Sequence, residues 1–395
     1  MINYPKQLDT IFNKLLAHSI TPIIVGGYVR NSLLKIDSKD IDVELYGIDE
    51  LKDLVTLLKP FGTINLVGES FGVAKLNFTD LEIDFSLPRV EKKISKGHKG
   101  FEVTSDATLD FKTAASRRDF TINAIGFDVK TKTLLDPFDG MKDLMSKTLK
   151  EVDQNSFIED PLRVLRAVRF CAIYNLKMSA SLLSLCKDMV RNGALDELAK
   201  ERIFEEYKKI VLNSKKPSTA FGLLQKMNCT IFGENFTNID NIASITESKT
   251  KLAISLALIC YNSDNTEVLY RLTNNKQLIT SVLKLLEFVS GVKSFMSDYE
   301  IYKLASKATL KELLYFAKTI KVLTLSEFDR LYKKVSNLGV LSKALAPLLG
   351  GDELIKLGLS PSKEFSNILS AVYELQMRGE LKTHQEAIEW VKSTL

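Results

Sequence analysis

The sequence predicts an α+β protein: a head in which a mixed sheet interleaves with helices, followed by helices alone. Over residues 1–140, short alternating or wholly apolar runs bounded by Gly and Pro recur between runs of helical spacing. From about residue 217 only helical spacing remains, rich in Leu and Lys, with breaks near 228–235, 263–266 and 294–297. At 395 residues the chain has room for two or more domains, each burying its own core. The pattern divides it at 1–140, 141–216, 217–345 and 346–395.

Composition excludes several classes. With 45% apolar and 26% charged residues the chain reads as globular, and no apolar run approaches the roughly 18 residues that span a bilayer. The start, MINYPKQLDTIFNKLL, lacks a positive-then-apolar signal layout, so a leading amphipathic helix in a cytoplasmic protein with no membrane partner is expected. Cys171, Cys186, Cys229 and Cys260 have no paired spacing and read as buried thiols rather than a zinc site or disulfide framework. Net charge is only +5, but residues 161–216 hold 12 Lys and Arg against 6 Asp and Glu, a basic segment directly after the head.

The chain is organised around residues 23–44. Ile23 to Val25 read as a buried strand, and Gly26-Gly27 allow a sharp turn that can approach a ligand closely. Tyr28 to Ile36 has helical spacing, with Arg30 inside it, so the turn opens a helix able to meet an anion. In Asp40-Ile41-Asp42-Val43-Glu44 strand alternation puts the acids on one face and Ile41 and Val43 on the core face. Two aspartates about 7 Å apart beside such a turn suit Mg²⁺ and a nucleoside triphosphate. Taken singly, a glycine pair is an ordinary turn and alternating acids an ordinary solvated face.

Residues 48–62 read as a helix ending at Gly62, and INLVGESFGVAKLNF and LEIDFSLPRVEKK as strands of a hairpin. Asp84, in the second of these, is a candidate third carboxylate or a plain polar-face aspartate. Residues 92–112 mix charge, glycine and polar residues without periodicity, which predicts a mobile loop; His98 within it reads as solvated. In Ser116-Arg117-Arg118-Asp119-Phe120-Thr121-Ile122-Asn123-Ala124 the arginines can hold triphosphate oxygens bidentately. Asp119 or Asn123 can bond a ribose hydroxyl, while Ile122, Ala124 and Ile125 belong to the core. Residues 135–140 form a turn that closes the head.

Glu159-Asp160-Pro161-Leu162-Arg163 starts a helix, with Asp before Pro as a cap signal. Its apolar stripe is Leu162, Leu165, Val168 and Phe170; Arg163, Arg166 and Arg169 recur on a flank that could simply face solvent. Glu201 to Glu206 can brace neighbouring helices by ion pairs. In the tail, the turn Lys356 to Pro361 could offer N–H groups to an RNA phosphate or be an ordinary interhelical turn.

These segments in order resemble the nucleotidyltransferases of the DNA polymerase β superfamily. More narrowly they resemble the bacterial class II CCA-adding tRNA nucleotidyltransferase and poly(A) polymerase family, with its G-G-x-V-R-D, D-x-D, R-R-D-[FL]-T-I-N-A and E-D-x-x-R patterns. The resemblance implies a polymerase β-like nucleotidyltransferase head followed by an all-α neck, body and RNA-binding tail. It implies Mg²⁺ on Asp40 and Asp42, with Asp84 as base toward the attacking hydroxyl. Gly26, Gly27, Arg30, Arg117, Arg118, Asp119, Asn123, Arg166 and Arg169 would contact nucleotide. Asp160 and Arg163 would read the base without a template, since C and A present a donor pattern that G and U reverse. The implied activity is addition of C, C and A to tRNA 3′ ends from CTP and ATP, releasing pyrophosphate. CC-only or A-only addition, or poly(A) synthesis, keep the same chemistry, and a non-catalytic RNA-binding protein is the remote alternative. The chain departs from the pattern at Asn31, where the family has aspartate, and at Ser362, where it usually has glycine. His18, His98 and His384 are too scattered for the His-Asp phosphohydrolase site that some relatives carry, so that activity is not expected.

Overall fold

A computed structural model of the chain describes residues 2–67, 72–79, 81–93, 101–106 and 108–394. The fold divides into two compact units, Met1–Glu206 with Thr219–Cys229, and Tyr207–Ser218 with Thr230–Leu395. In the first, helices α1 (Leu8–Ala17), α2 (Gly27–Leu33), α3 (Leu51–Leu58) and α4 (Phe111–Ser116) interleave with nine strands. These are β1 (Thr21–Val25), β2 (Asp40–Tyr46), β3 (Thr63–Val67), β4 (Val73–Phe78), β5 (Leu81–Ser86), β6 (Arg89–Lys93), β7 (Phe101–Ser105), β8 (Gly126–Asp128) and β9 (Thr133–Leu135).

Seven strands form one sheet in the order β3-β4-β5-β2-β1-β8-β9. All pairs are antiparallel except β2 with β5, so the sheet is mixed as expected. Alternation decides which face of the sheet each side chain takes. Ile41, Val43 and Leu45 of β2, Ile83 and Phe85 of β5, and Ala74 and Leu76 of β4 enter the core. There they meet Leu8, Ile11, Phe12 and Leu15 of α1 and Leu54 and Leu58 of α3. Each of the larger side chains among these, removed from water, contributes about 1.5–3 kcal/mol. The same alternation leaves Asp40, Asp42, Glu44, Lys75 and Asp84 on the opposite face.

Two expectations need correction. The helix after the glycine pair ends at Leu33 rather than Ile36, because Lys35 turns left-handed (φ 58°) and the Ile36 N–H closes onto the Asn31 carbonyl. The described parts of 92–112 are largely regular: β6 and β7 pair antiparallel, and α4 is capped by Asp110, which accepts from the Thr113 N–H. Charge and glycine hid the alternation of Phe101-Glu102-Val103-Thr104-Ser105. Residues 94–100, His98 among them, lie outside the described residues.

Helices α5 (Gly140–Met145), α6 (Gln154–Glu159), α7 (Leu162–Tyr174), α8 (Ala180–Arg191), α9 (Lys200–Asn213) and α10 (Ser218–Lys226) follow. Asp136 starts α5 by accepting from the Gly140 and Met141 N–H groups, and Asp160 starts α7 by accepting from the Leu162 N–H. The second unit is helical. Its helix Ser248–Ser263 is buried on most sides, and Tyr207 donates to the Ser255 hydroxyl in that core. Residues from Leu349 to Val391 form a separate apolar cluster. Among the described residues no helix is long and apolar enough to cross a membrane, and all four cysteines are buried free thiols.

Candidate active site

The register of three strands sets one side of the site. Asp42 of β2 lies opposite Asp84 of β5, which lies opposite Lys75 of β4; Asp40 is one step along, opposite Glu82. Lys75 Nζ is 3.2 Å from Asp84 Oδ2 and 3.4 Å from Glu82 Oε1. Asp84 Oδ1 is buried with no hydrogen-bond partner among the described residues. Asp42 keeps solvent access, yet partial desolvation of its carboxyl and then the charge of Asp84 raise its pKa. Crowded carboxylates with an orphaned oxygen have the hard-oxygen donor chemistry that a divalent cation takes. Among the described residues no three acidic, His or Cys side chains converge into a complete ligand cluster.

The glycine turn closes on this face. Val25 is the β1 partner of Asp42, so the next residue, Gly26, must pass directly over that carboxylate. Gly26 has φ +67° and ψ −130°, a conformation that side-chain-bearing residues avoid. A Cβ there would lie 3.6 Å from Asp42 Oδ2 and 3.8 Å from Arg118 Nη1. Carboxylate, glycine turn and arginine therefore meet at one point. Gly27 opens α2.

Glu44, the third acid of the alternating run, is only 1% exposed and faces the arginine segment. Its Oε1 accepts from Arg118 Nη2 at 2.7 Å and pairs with Arg117 Nη2 at 3.6 Å. Tyr46 donates to its other oxygen. Arg118 also donates to the Asn123 carbonyl at 2.9 Å, so its guanidinium is fixed between strand and turn.

Beside this lies a buried polar network. Asp119 accepts from Arg166 through both Nη2 (2.5 Å) and Nε (2.7 Å), and from the Asn123 side chain at 2.8 Å. Burial alone would raise the Asp119 pKa, but the Arg166 charge and these hydrogen bonds outweigh it and hold the pKa below the usual carboxylate range. Asn123 accepts from Arg30, which also donates to Asn31 and Tyr174. Arg30, Arg166 and Arg169 all stand over the Phe170 ring, at 5.0, 5.6 and 4.5 Å from its centroid.

The structure distributes the sequence-predicted residues unevenly. Asp40, Asp42, Asp84, Gly26 and Arg118 come together, as do Arg30, Asp119, Asn123 and Arg166. The side chains of Asp160 and Arg163 bond elsewhere: Asp160 pairs with Arg202 at 3.1 Å, and Arg163 donates to the carbonyls of Arg117 and Ser156. Arg169 is held by Glu206, so the 201–206 segment does brace helices through ion pairs. Sequence reasoning assigned no role to Glu44, Lys75 or Tyr174. The strand alternation that selected Asp40 and Asp42 also points to Glu44, and pairing with β5 points to Lys75; Tyr174 had no local signal.

These contacts give two expected outcomes. Glu44→Gln removes a buried counter-charge and should lower the unfolding free energy by about 3 kcal/mol, whereas the solvent-exposed Glu82→Gln should cost under about 1 kcal/mol, both read by urea unfolding. Because the folded Asp42 carboxyl binds its proton more tightly than the unfolded one, its ionised form costs stability above the unfolded pKa. Without added cation, Asp42→Asn should therefore stabilise the protein at pH 7, and the gain should vanish as pH falls below the ordinary carboxyl range near about 4.

Comparison with known proteins shows what the chain is similar to. Residues 23–150 match the poly A polymerase head domain. A "Multifunctional CCA protein" of Xanthomonas axonopodis pv. citri (strain 306) is 37% identical over 198 residues, 49% of this chain and 46% of the relative. A protein of the same name from Neisseria gonorrhoeae (strain NCCP11945) is 36% identical over 203 residues, 51% of this chain and 47% of that protein. The matched part thus spans about half the length of these curated relatives. The Bacillus stearothermophilus CCA-adding enzyme in complex with CTP aligns over 99% of this chain and 98% of its own, with TM-score 0.78 at 18% identity. The Thermotoga maritima CCA-adding enzyme complexed with tRNA aligns over 100% and 96%, with TM-score 0.68 at 22% identity. The chain shares the fold of these enzymes, and its residues 23–150, which carry the paired aspartates and the arginine segment, match the poly A polymerase head domain.

Proposed function

We propose that this chain is a nucleotidyltransferase that adds C, C and A to the 3′ end of tRNA, without a template, from CTP and ATP. The observation that carries the reading is the meeting of Asp42, the Gly26 turn and Arg118 at one point, with Asp84 alongside. The relatives' names, and the CTP, ATP and tRNA complexes of similar structures, support the choice of substrates.

In this reading the 3′-hydroxyl oxygen of tRNA forms a bond to the α-phosphorus, the bond to the bridging oxygen breaks, and pyrophosphate leaves. Asp84, across from Asp42, accepts the hydroxyl proton. Arg118, oriented by Glu44, stabilises charge on the triphosphate, and the side-chain-free Gly26 lets the phosphates approach the strand end. Mg²⁺, the divalent ion proposed here, would be held by Asp40 and Asp42 and would supply Lewis-acid polarisation of the phosphate. Asp160 and Arg163 read C or A once the base draws them from Arg202 and from the Arg117 carbonyl. Arg117, Arg166 and Arg169 complete a basic wall, and Asp119 and Asn123 hold it in place.

Primer extension tests this directly. tRNAs ending at the discriminator base, at C and at CC are supplied with Mg²⁺ and with CTP and ATP singly and together. Extension that stops at CCA is expected, and Asp40→Ala with Asp42→Ala should lower incorporation by at least about a thousandfold. Stopping at CC, acting only on CC ends, or making long A-tails would replace CCA addition by CC-only, A-only or poly(A) synthesis. No incorporation would leave an RNA-binding role.

A further inference from the structure

Arg30 is a buried cation whose direct partners are all neutral. It is 6% exposed. Its Nε and Nη2 donate to Asn31 Oδ1 at 3.2 and 2.8 Å, Nη2 donates to the Tyr174 hydroxyl at 2.7 Å, and Nη1 donates to Asn123 Oδ1. The rings of Phe170 and Tyr174 lie 5.0 and 4.5 Å from the guanidinium carbon. The carboxylate joined to this network, Asp119, is engaged by Arg166 and Asn123, so two guanidiniums share one carboxylate and one positive charge is left over. Buried arginines ordinarily have a carboxylate in contact, because desolvating the charge is costly. Here amide, phenol and aromatic faces orient and partly solvate the group without cancelling it.

The position of that charge gives it a use. A Cβ on Gly27 would lie 3.6 Å from Arg30 Nη2, so the guanidinium sits beneath the Gly26-Gly27 turn. Asn31 is the residue that keeps the charge uncompensated: its Oδ1 accepts two Arg30 N–H groups and the Tyr174 hydroxyl, and a carboxylate of the same shape would accept the same bonds while neutralising the cation. We propose that Asn31 is a positioning residue that orients Arg30 while leaving its charge available, through the glycine turn, to the triphosphate of the incoming nucleotide. The inference rests on the reading of that turn as the nucleotide seat. CTP and ATP share their triphosphate, so the charge strengthens both alike and plays no part in choosing between them.

Equilibrium binding of CTP, ATP and inorganic tripolyphosphate to the full chain tests the proposal, with thermal unfolding recorded for each variant. Asn31→Asp should weaken all three by about tenfold, as expected for neutralising one charge at close range in a partly desolvated site. The CTP-to-ATP ratio should hold, and the melting temperature should stay level or rise, since a buried cation gains a counter-ion. Tyr174→Phe, which keeps the charge and the ring but removes the two hydrogen bonds of the hydroxyl to Arg30 and Asn31, should weaken binding far less. Wild-type binding with Asn31→Asp within twofold of it would overturn the inference alone. So would an equal loss in Tyr174→Phe, which would make geometry rather than charge the contribution of Asn31. Wild-type protein that binds none of the three ligands would overturn the nucleotide seat itself, and this inference with it.

Discussion

Asp119 is the constraint on which the first unit depends. It is buried and stays ionised because Arg166 and Asn123 meet it directly, and removing either would leave a charge in a site water cannot repair. Its partners belong to distant parts of the chain. Asn123 passes the network to Arg30 beneath the glycine turn, and Arg166 brings in α7. Asn123 also holds Arg118 through its carbonyl, and Arg118 holds Glu44 on β2. The sheet face, the turn and α7 are thus fixed to one another by charge and hydrogen bonding, alongside the aromatic contacts of Phe170 with Phe120 and Tyr174.

The acids of the site fall into distinct environments. Glu44 is matched by arginines and Asp119 by Arg166, so both hold structure. Asp42 faces Asp84, with its pKa raised, and Lys75 stands nearby as a counter-charge for Asp84. Paired acids stabilise a folded state above their unfolded pKa, whereas mutually repelling acids cost it stability there. The strained carboxylates are the ones suited to chemistry with a cation, and the satisfied ones keep the arginines aimed.

Much of this was legible in the residue order, for a physical reason. A strand of alternating Asp and aliphatic residues has one solution once its apolar face is buried, so Asp40, Asp42 and Glu44 are placed by Ile41 and Val43. Gly26 was legible because a strand followed by a turn with positive φ needs glycine. The fate of Asp160 and Arg163 was not, because it is set by Arg202 and by the Arg117 carbonyl, both far away in sequence. Tyr174 and Lys75 were hidden for the same reason: their partners are supplied by helix packing and strand register. The second unit is read from the sequence only as helices, since a segment buried on most sides such as Ser248–Ser263 has little polar face to read for function.

The account turns on the claim that the Asp119–Arg166 contact couples the arginine segment to α7 as one unit. A double-mutant cycle of Asp119→Asn and Arg166→Gln, read by urea unfolding, measures that coupling. The predicted result is an interaction energy of about 2 kcal/mol or more, with the double variant more stable than the sum of the single losses implies. Losses that add to within about 0.5 kcal/mol would show two independent surface contacts and would contradict it.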